Sequence, residues 1–408
     1  MKSSLQVRID SLAFGGDGVG RHEGTVVFVP GTTPGDLVDV QIREKNRRFI
    51  RADIVQIVEA GADRVAAPCE SYPACGGCQW QHVHYPAQFA AKRAIVERAL
   101  QRFGNPEITH HPAPAPFDYR RRARLTFRAD KELHAGFLAR QSDQIVGLSN
   151  CMQLVPALDP VLPRLWQRLR AAGSGRGEIE LLANHNEDIH IAVHSRTPSN
   201  SWLDAFMAPA LEGFAGLIGT SGADTRTSGS ATIDLDDRGL RASARSFTQA
   251  NAAQDAVLRN IVVRTVQSIN AQNVLEFHAG IGNFTFDLAK VGCSVTAVES
   301  EPLAVALLRD NLTGLDATCH RADAESFTWS DKPDCILLDP PREGAQRLCQ
   351  RIADSKVRHV VYVSCDPMTL ARDLESLTAA RFKLRSVDII DMMPQTYHIE
   401  TACFLSRN

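Results

Sequence analysis

Ten cysteines stand in this chain, and the first four are spaced as metal ligands often are. Cys69, Cys75 and Cys78 follow a C-x5-C-x2-C pattern in CESYPACGGC, and Cys151 comes well downstream. Pro and Gly between them let the backbone turn so that several thiolates meet at one centre. A zinc ion and a [4Fe–4S] cluster both accept four thiolates. Zinc knuckles usually supply two C-x2-C pairs and only one exists here, which favours iron–sulfur over zinc, with unrelated buried thiols as the plain alternative. A second chemistry belongs to Cys365, in VVYVSCDPMTLARD, at the end of one strand and just before a helix. A thiol placed there opens into a cleft and gains from the helix dipole, although a strand-end core cysteine has the same local sequence. Glu400, in DMMPQTYHIETACFLSR, lies at the turn into the last strand, and nothing local separates it from a surface carboxylate.

A third chemistry is that of a cofactor turn. VLEFHAGIGNF (274–284) reads as a strand, a turn with Gly280 and Gly282, and a helix start, where the backbone can approach a ligand closely. Thr285 breaks the G-x-G-x-x-G form. Glu299 ends the next strand, where an acid can hold a ribose diol, and Asp339 ends another in DCILLDPPREG. A nucleoside without phosphate recognition fits these features, so S-adenosylmethionine suits them better than a dinucleotide.

Two basic clusters are local, because the formal net charge is only −2. Arg43, Lys45, Arg47, Arg48 and Arg51 crowd one hairpin, and Arg120, Arg121, Arg122 and Arg124 lie in YRRRARLTFR. The second run is expected to face RNA, since arginines pair with phosphate and stack on bases; ordinary strand-edge charge is the alternative.

The elements that must position these residues divide the chain into three. Residues 1–57 read as short alternating strands with glycine turns, which suggests a small β-barrel. Residues 58–247 hold the cysteine-rich stretch, a helix near 86–104 that packs on the last domain, and a β-rich region in which GSGRG (173–177) and GTSGADTRTSGS (219–230) read as loops. From 248 to 408 strands alternate with helices, the pattern of a doubly wound, Rossmann-like α/β domain. With 408 residues, more than one core is expected. No long apolar run or signal-like segment is present, so no membrane partner and a cytoplasmic location are expected.

The chain resembles the RNA uracil-C5 methyltransferase family through SFTQAN (246–251), AGIGNF (279–284), AVE (297–299), LLDPPREG (337–344), YVSCDP (362–367) and PQTYHIE (394–400). Its first segment resembles a TRAM domain, an RNA-binding barrel, through GGDGVGR and VFVPGTTPGDLV. The resemblance implies a class I methyltransferase fold and a [4Fe–4S] cluster on Cys69, Cys75, Cys78 and Cys151. It implies cofactor contacts at Gln249, Gly280, Asn283, Glu299, Asp323 and Asp339, Cys365 as nucleophile and Glu400 as base. Phe247 is a candidate stacking surface for a flipped base, and Arg47 and Arg48 join the arginine run as RNA contacts. Barrel and cluster together are similar to the 23S ribosomal RNA branch. A tRNA substrate and an inactive RNA-binding module are the rival readings, and DNA is disfavoured. A monomer is expected. Two positions depart from the family: His278-Ala279 stands for Phe-Cys before the turn, making His278 a possible cofactor contact, and Asp366 stands for Asn, adding negative charge beside Cys365.

Overall fold

A computed structural model describes residues 4–197, 199–329 and 332–407, so the outermost ends of the expected 1–57 and 248–408 units lie outside the described residues. Strands Ser4–Leu12, Gly18–His22, Thr25–Val29, Leu37–Lys45 and Phe49–Glu59 close into a barrel. Alternate side chains fill it: Val7, Ile9, Val27, Val29, Val38, Val40, Ile50 and Ala52 form its core, as the two-residue period of a strand requires. The cysteine-rich stretch that follows is irregular and leads into the helix Tyr85–Leu100. Phe89, Val96 and Leu100 of that helix join the same core as Leu370, Leu374 and Leu377 of helix Pro367–Ala379. Strand Glu107–His111 then pairs in parallel with Lys383–Ile390, so residues 85–111 build onto the sheet of the last domain.

The central region is a sheet of Asp224–Gly229, Gly216–Ser221, Ile189–Ser195, Gly175–Ala183, Arg122–Ala129, Leu133–Leu138 and Ile145–Gly147, in that order. Its apolar face is covered by helices Val161–Ala172 and Asn200–Met207, which the strand-dominated reading omits. The two expected loops are also corrected. GSGRG enters the strand Gly175–Ala183, and GTSGADTRTSGS forms most of a hairpin, Gly216–Ser221 with Asp224–Gly229. Asp224–Gly229 is an exposed edge held by backbone pairing, so it lacks the apolar alternation that marks a half-buried strand. Within the region expected to be β-rich, LRASARSF (240–247) contributes only the short pair Arg241–Ala242 with Ile233–Asp234.

The last domain carries the sheet order Ala317–Arg321, Ser294–Glu299, Asn273–Phe277, Cys335–Leu338, His359–Ser364, Glu400–Ser406, Lys383–Ile390, Glu107–His111. The strands are parallel except for Glu400–Ser406, which runs antiparallel to both neighbours. Covered on both faces, its central strands are continuously apolar: every residue of CILL is buried. No helix among the described residues is long and apolar enough to cross a membrane.

Candidate active site

Strand order and direction place the chemistry. Antiparallel pairing sets Val363 opposite Ala402 and Ser364 opposite Thr401, and the Thr401 hydroxyl donates to the Ser364 carbonyl at 3.1 Å. Cys365 is the residue after the first of these strands and Glu400 the one before Thr401 on its partner, so the register brings both to the same end of the strand pair. Glu400 is the first charge, after burial, that raises the Cys365 thiol. Cys365 follows the strand His359–Ser364, and Asp366 then starts helix Pro367–Ala379, its Oδ1 accepting from the amides of Met368 and Thr369. Asp339 follows strand Cys335–Leu338, the neighbour on the other side.

The electrostatics tie these groups together. Burial pushes the Cys365 thiol up to about 12, and Glu400, Asp339 and Asp366 add to the rise while Arg342 opposes it. The gain from the helix dipole expected at this position is outweighed. Burial raises the Asp339 carboxyl to about 7, with help from Asp255. Glu400 is 6% exposed, and burial followed by Asp339 raises it well above the carboxylate range. Close acids in a half-dry cleft therefore hold protons that water would remove. His398 lies on the same side, its Nε2 3.4 Å from Arg342 Nη2, and burial followed by Arg342, Lys92 and Arg120 keeps it neutral, down to about 3.

Beside this cleft is a pocket lined by Phe247, Thr248, Gln249, His278, Gly280, Asn283 and Asp339, among others. His278, Gly280 and Gly282 take positive φ angles of 61°, 58° and 93°, which turns the chain from strand Asn273–Phe277 into helix Asn283–Lys290. Nothing lies within 4 Å of where a Cβ on Gly280 would stand, so this backbone is open to a ligand. Glu299 Oε2 accepts from Gly280 N at 2.9 Å, and its Oε1 accepts from the amides of Ser300 and Glu301, which fixes the carboxylate at the pocket edge. Asp323 is exposed at the same end of the sheet and, after burial and Glu299, acts on His278; it does not line the pocket itself. The Thr248 hydroxyl is buried without a partner, a site the sequence reading omitted. Phe247 is 64% exposed at the mouth, with the Arg122 guanidinium 5.8 Å from its ring centre.

Cys69, Cys75, Cys78 and Cys151 line a separate pocket with Arg120 and Gln153. All four thiols are free. Burial raises those of Cys75, Cys78 and Cys151, Cys78 to about 12, and each is raised further by another cysteine of the set. Both amide atoms of the buried Gln153 and Nε of Arg120 have no partner. Among the described residues, no group of three or more His, Cys, Asp or Glu is placed to hold a metal ion, so the thiols surround a space without converging on a point.

The arginine run does not face outward as a row. Arg121 is 5% exposed, its Nε donating to the Gln249 carbonyl at 3.0 Å and its Nη2 to Asp255 at 3.1 Å. Arg122 bridges Glu180, Arg124 bridges Glu178, and Arg120 turns to the thiols. Arg120 and Arg121 thus turn inward, whereas Arg124 stays exposed beside its Glu178 partner and Arg122 lies against the exposed Phe247 ring. On the barrel, Arg47 and Arg48 are exposed between paired strands, whereas Arg51 packs on Phe28 and Phe49.

Comparison with known proteins agrees with this geometry. Residues 3–55 match the family model of the TRAM domain, and residues 323–408 that of tRNA (uracil-5-)-methyltransferase. The chain is 33% identical over 421 residues to a 23S rRNA (uracil(1939)-C(5))-methyltransferase of Shewanella sediminis, covering 98% of this chain and 95% of the relative. It is 34% identical over 431 residues to the protein of the same name in Halomonas elongata, covering 97% and 88%. The fold superposes with a TM-score of 0.78 on the tRNA (uracil-54, C5)-methyltransferase of Pyrococcus abyssi, solved with S-adenosyl-L-homocysteine, at 24% identity and over 98% of this chain and 100% of that one.

Proposed function

This chain belongs to the RNA uracil-C5 methyltransferases, and from that membership we propose that it methylates C5 of one uridine in 23S rRNA through a covalent adduct at Cys365. The observation that carries the mechanism is the juxtaposition of Cys365 and Glu400 across neighbouring antiparallel strands, with Asp339 between them and the glycine-turn pocket.

C5 of uracil is a weak nucleophile, and addition of a thiolate at C6 converts it to an enolate that is a strong one. Asp339, ionised above about pH 7, takes the Cys365 proton as the sulfur bonds to C6, which leaves the Glu400 carboxylate for the later step. S-adenosylmethionine, when bound, supplies the electrophilic methyl group that the C5 carbon takes. Glu400 then accepts the C5 proton, the C5–C6 double bond re-forms, and the Cys365 sulfur leaves C6. Burial and Asp339 raise the proton affinity of Glu400, which strengthens it as a base toward the C5 proton. The open Gly280 backbone, the unpartnered Thr248 hydroxyl and the fixed Glu299 carboxylate fit a nucleoside cofactor whose ribose lies at the pocket edge. The target base must leave its stack, and the exposed Phe247 ring is the surface on which its neighbours would rest.

The four-thiol pocket fits a [4Fe–4S] cluster. A single zinc ion needs four sulfurs converging to about 2.3 Å, whereas a multi-iron group fills a space between them. Cys69, Cys75, Cys78 and Cys151 would hold the cluster, and the unpartnered Gln153 Nε2 and Arg120 Nε would be free to donate to it. This methyl transfer moves no net electrons, so such a cluster would hold structure or orient RNA rather than carry redox chemistry. The enzyme acts in the cytoplasm, as a monomer, on RNA that the barrel helps to grip.

Nucleoside mass spectrometry of rRNA and tRNA from cells with and without this gene tests the reading. Loss of 5-methyluridine from one 23S fragment is expected. Loss from tRNA alone moves the substrate, and no loss from either pool overturns the enzymatic reading.

A further inference from the structure

The thiol pocket and the cofactor pocket share a two-residue piece of backbone. Arg120 pairs in parallel with Leu154 and antiparallel with Asn251. Its amide donates to the Gln153 carbonyl at 2.7 Å, and its carbonyl accepts from Val155 at 3.1 Å. On the opposite side the Arg121 amide donates to the Ala250 carbonyl at 2.8 Å. One flanking segment thus begins at Cys151, a thiol of the first pocket, and the other carries Gln249, which lines the second. Successive side chains of an extended backbone point to opposite sides. Accordingly Arg120 lines the thiol pocket, and Arg121 lines the cofactor pocket. Arg121 grips the Gln249 carbonyl and Asp255, whose other oxygen accepts from the Asn283 amide at 2.7 Å. Gln153 and Arg120 meanwhile keep buried polar atoms without partners on the thiol side, so that wall is incomplete until something fills it.

We propose that the Arg120–Arg121 step couples the two pockets, so that an occupied thiol pocket holds Gln249 and Asn283 in the arrangement that binds the methyl donor. The inference rests on the two pocket assignments given above. Any such coupling is reciprocal: if the cluster tightens cofactor binding, bound cofactor must retain the cluster by the same free energy.

The test uses full-length protein purified anaerobically with its iron, and S-adenosylhomocysteine as probe. Iron loss to a colorimetric chelator is timed with and without probe, at concentrations that calorimetry shows to be saturating for each protein. We expect calorimetry to give a probe Kd about fivefold or more lower on the iron-loaded protein than on the same protein stripped of iron, the lower range of allosteric couplings, and bound probe to slow iron loss. In Arg121→Met the iron content should match the wild type and the slowing should vanish. An equal probe Kd on the loaded and stripped wild type, or iron loss at the same rate with and without bound probe, overturns the coupling, and this arm needs no variant to fold. Slowing that persists undiminished in Arg121→Met overturns the route through Arg121. A wild-type protein that takes up no iron, or binds no probe, instead overturns the corresponding pocket assignment and the coupling with it.

Discussion

Cys365 is surrounded by acids, and that sets how the site responds to pH. Asp339 is raised from an ordinary carboxyl value to about 7, so between roughly pH 4 and 7 the folded chain holds a proton that the unfolded chain releases. Stability linked to this group is present below the unfolded value and is lost as pH rises through the folded one. Asp339→Asn should therefore raise Tm at pH 8, by about 1 °C for each kcal/mol recovered given the unfolding entropy of a chain this long, while methylation falls at least a hundredfold. A lower Tm at pH 8 would contradict the origin assigned to the shift. The motifs singled out Cys365, Glu400, Glu299 and Asp339, and the structure places them at one end of the sheet. Partners were not legible. Arg121 and Asp255 are 134 positions apart, and a single sequence gives no sign that one neutralises the other. For that reason the sequence did not separate Arg121, which is spent internally, from the exposed Arg124 three positions on.

At the scale of elements, Asp366 does two jobs: it caps helix Pro367–Ala379 and places a charge beside the thiol. Asp366→Ala should cost about 1 kcal/mol in urea unfolding. Asp366→Asn keeps a capping oxygen, so stability should hold while alkylation of Cys365, followed by peptide mass spectrometry against pH, moves to lower pH. No movement would mean that the Asp366 charge does not reach the thiol. The central hairpin gives a packing test. A Cβ on Gly219 would come within 2.7 Å of Leu203 and 2.8 Å of Met207, so glycine there lets helix Asn200–Met207 seat on the sheet. Gly219→Val should cost roughly 1–3 kcal/mol in the same assay. The parallel strands of the last domain were legible as unbroken apolar runs. Ala317–Arg321 was missed because it is an edge strand with little buried surface, and Asp224–Gly229 because polar residues there are held by backbone pairing alone. Register is the feature that makes the site, since it brings Cys365 and Glu400 to the same end of a strand pair, and no local pattern discloses it.

The whole molecule converges on residues 391–400. Lys92 and Asp391 form an ion pair with both side chains fully buried, at 2.7 Å, and Lys92 also donates to the Met393 carbonyl. Gln88 exchanges hydrogen bonds with Gln395, whose carbonyl accepts from the amides of Gln79 and Trp80, next to Cys78. Tyr397 packs edge-on against Phe14 of the barrel. All three parts of the chain therefore brace the loop that delivers Glu400. Lys92→Met should cost about 3–5 kcal/mol in unfolding because it strands a buried carboxylate, and Lys92→Met with Asp391→Leu should recover much of that loss. At the barrel, Arg47→Ala with Arg48→Ala should weaken RNA binding and flatten its dependence on log salt by about 0.7–0.9 for each phosphate contact removed, as filter binding across salt would measure. Domain order and the change of character near residue 248 were visible in sequence; how the parts meet at this loop depends on contacts between residues about 300 positions apart.

The central claim is that Cys365 attacks the base and Glu400 releases it. Its most direct test incubates Glu400→Gln with S-adenosylmethionine and a 23S rRNA fragment, then resolves the denatured products by gel and peptide mass spectrometry. The account predicts an accumulating protein–RNA adduct that carries the transferred methyl group and maps to Cys365, and no adduct when Cys365→Ala is added. Normal turnover by Glu400→Gln, or an adduct that survives Cys365→Ala, would contradict it.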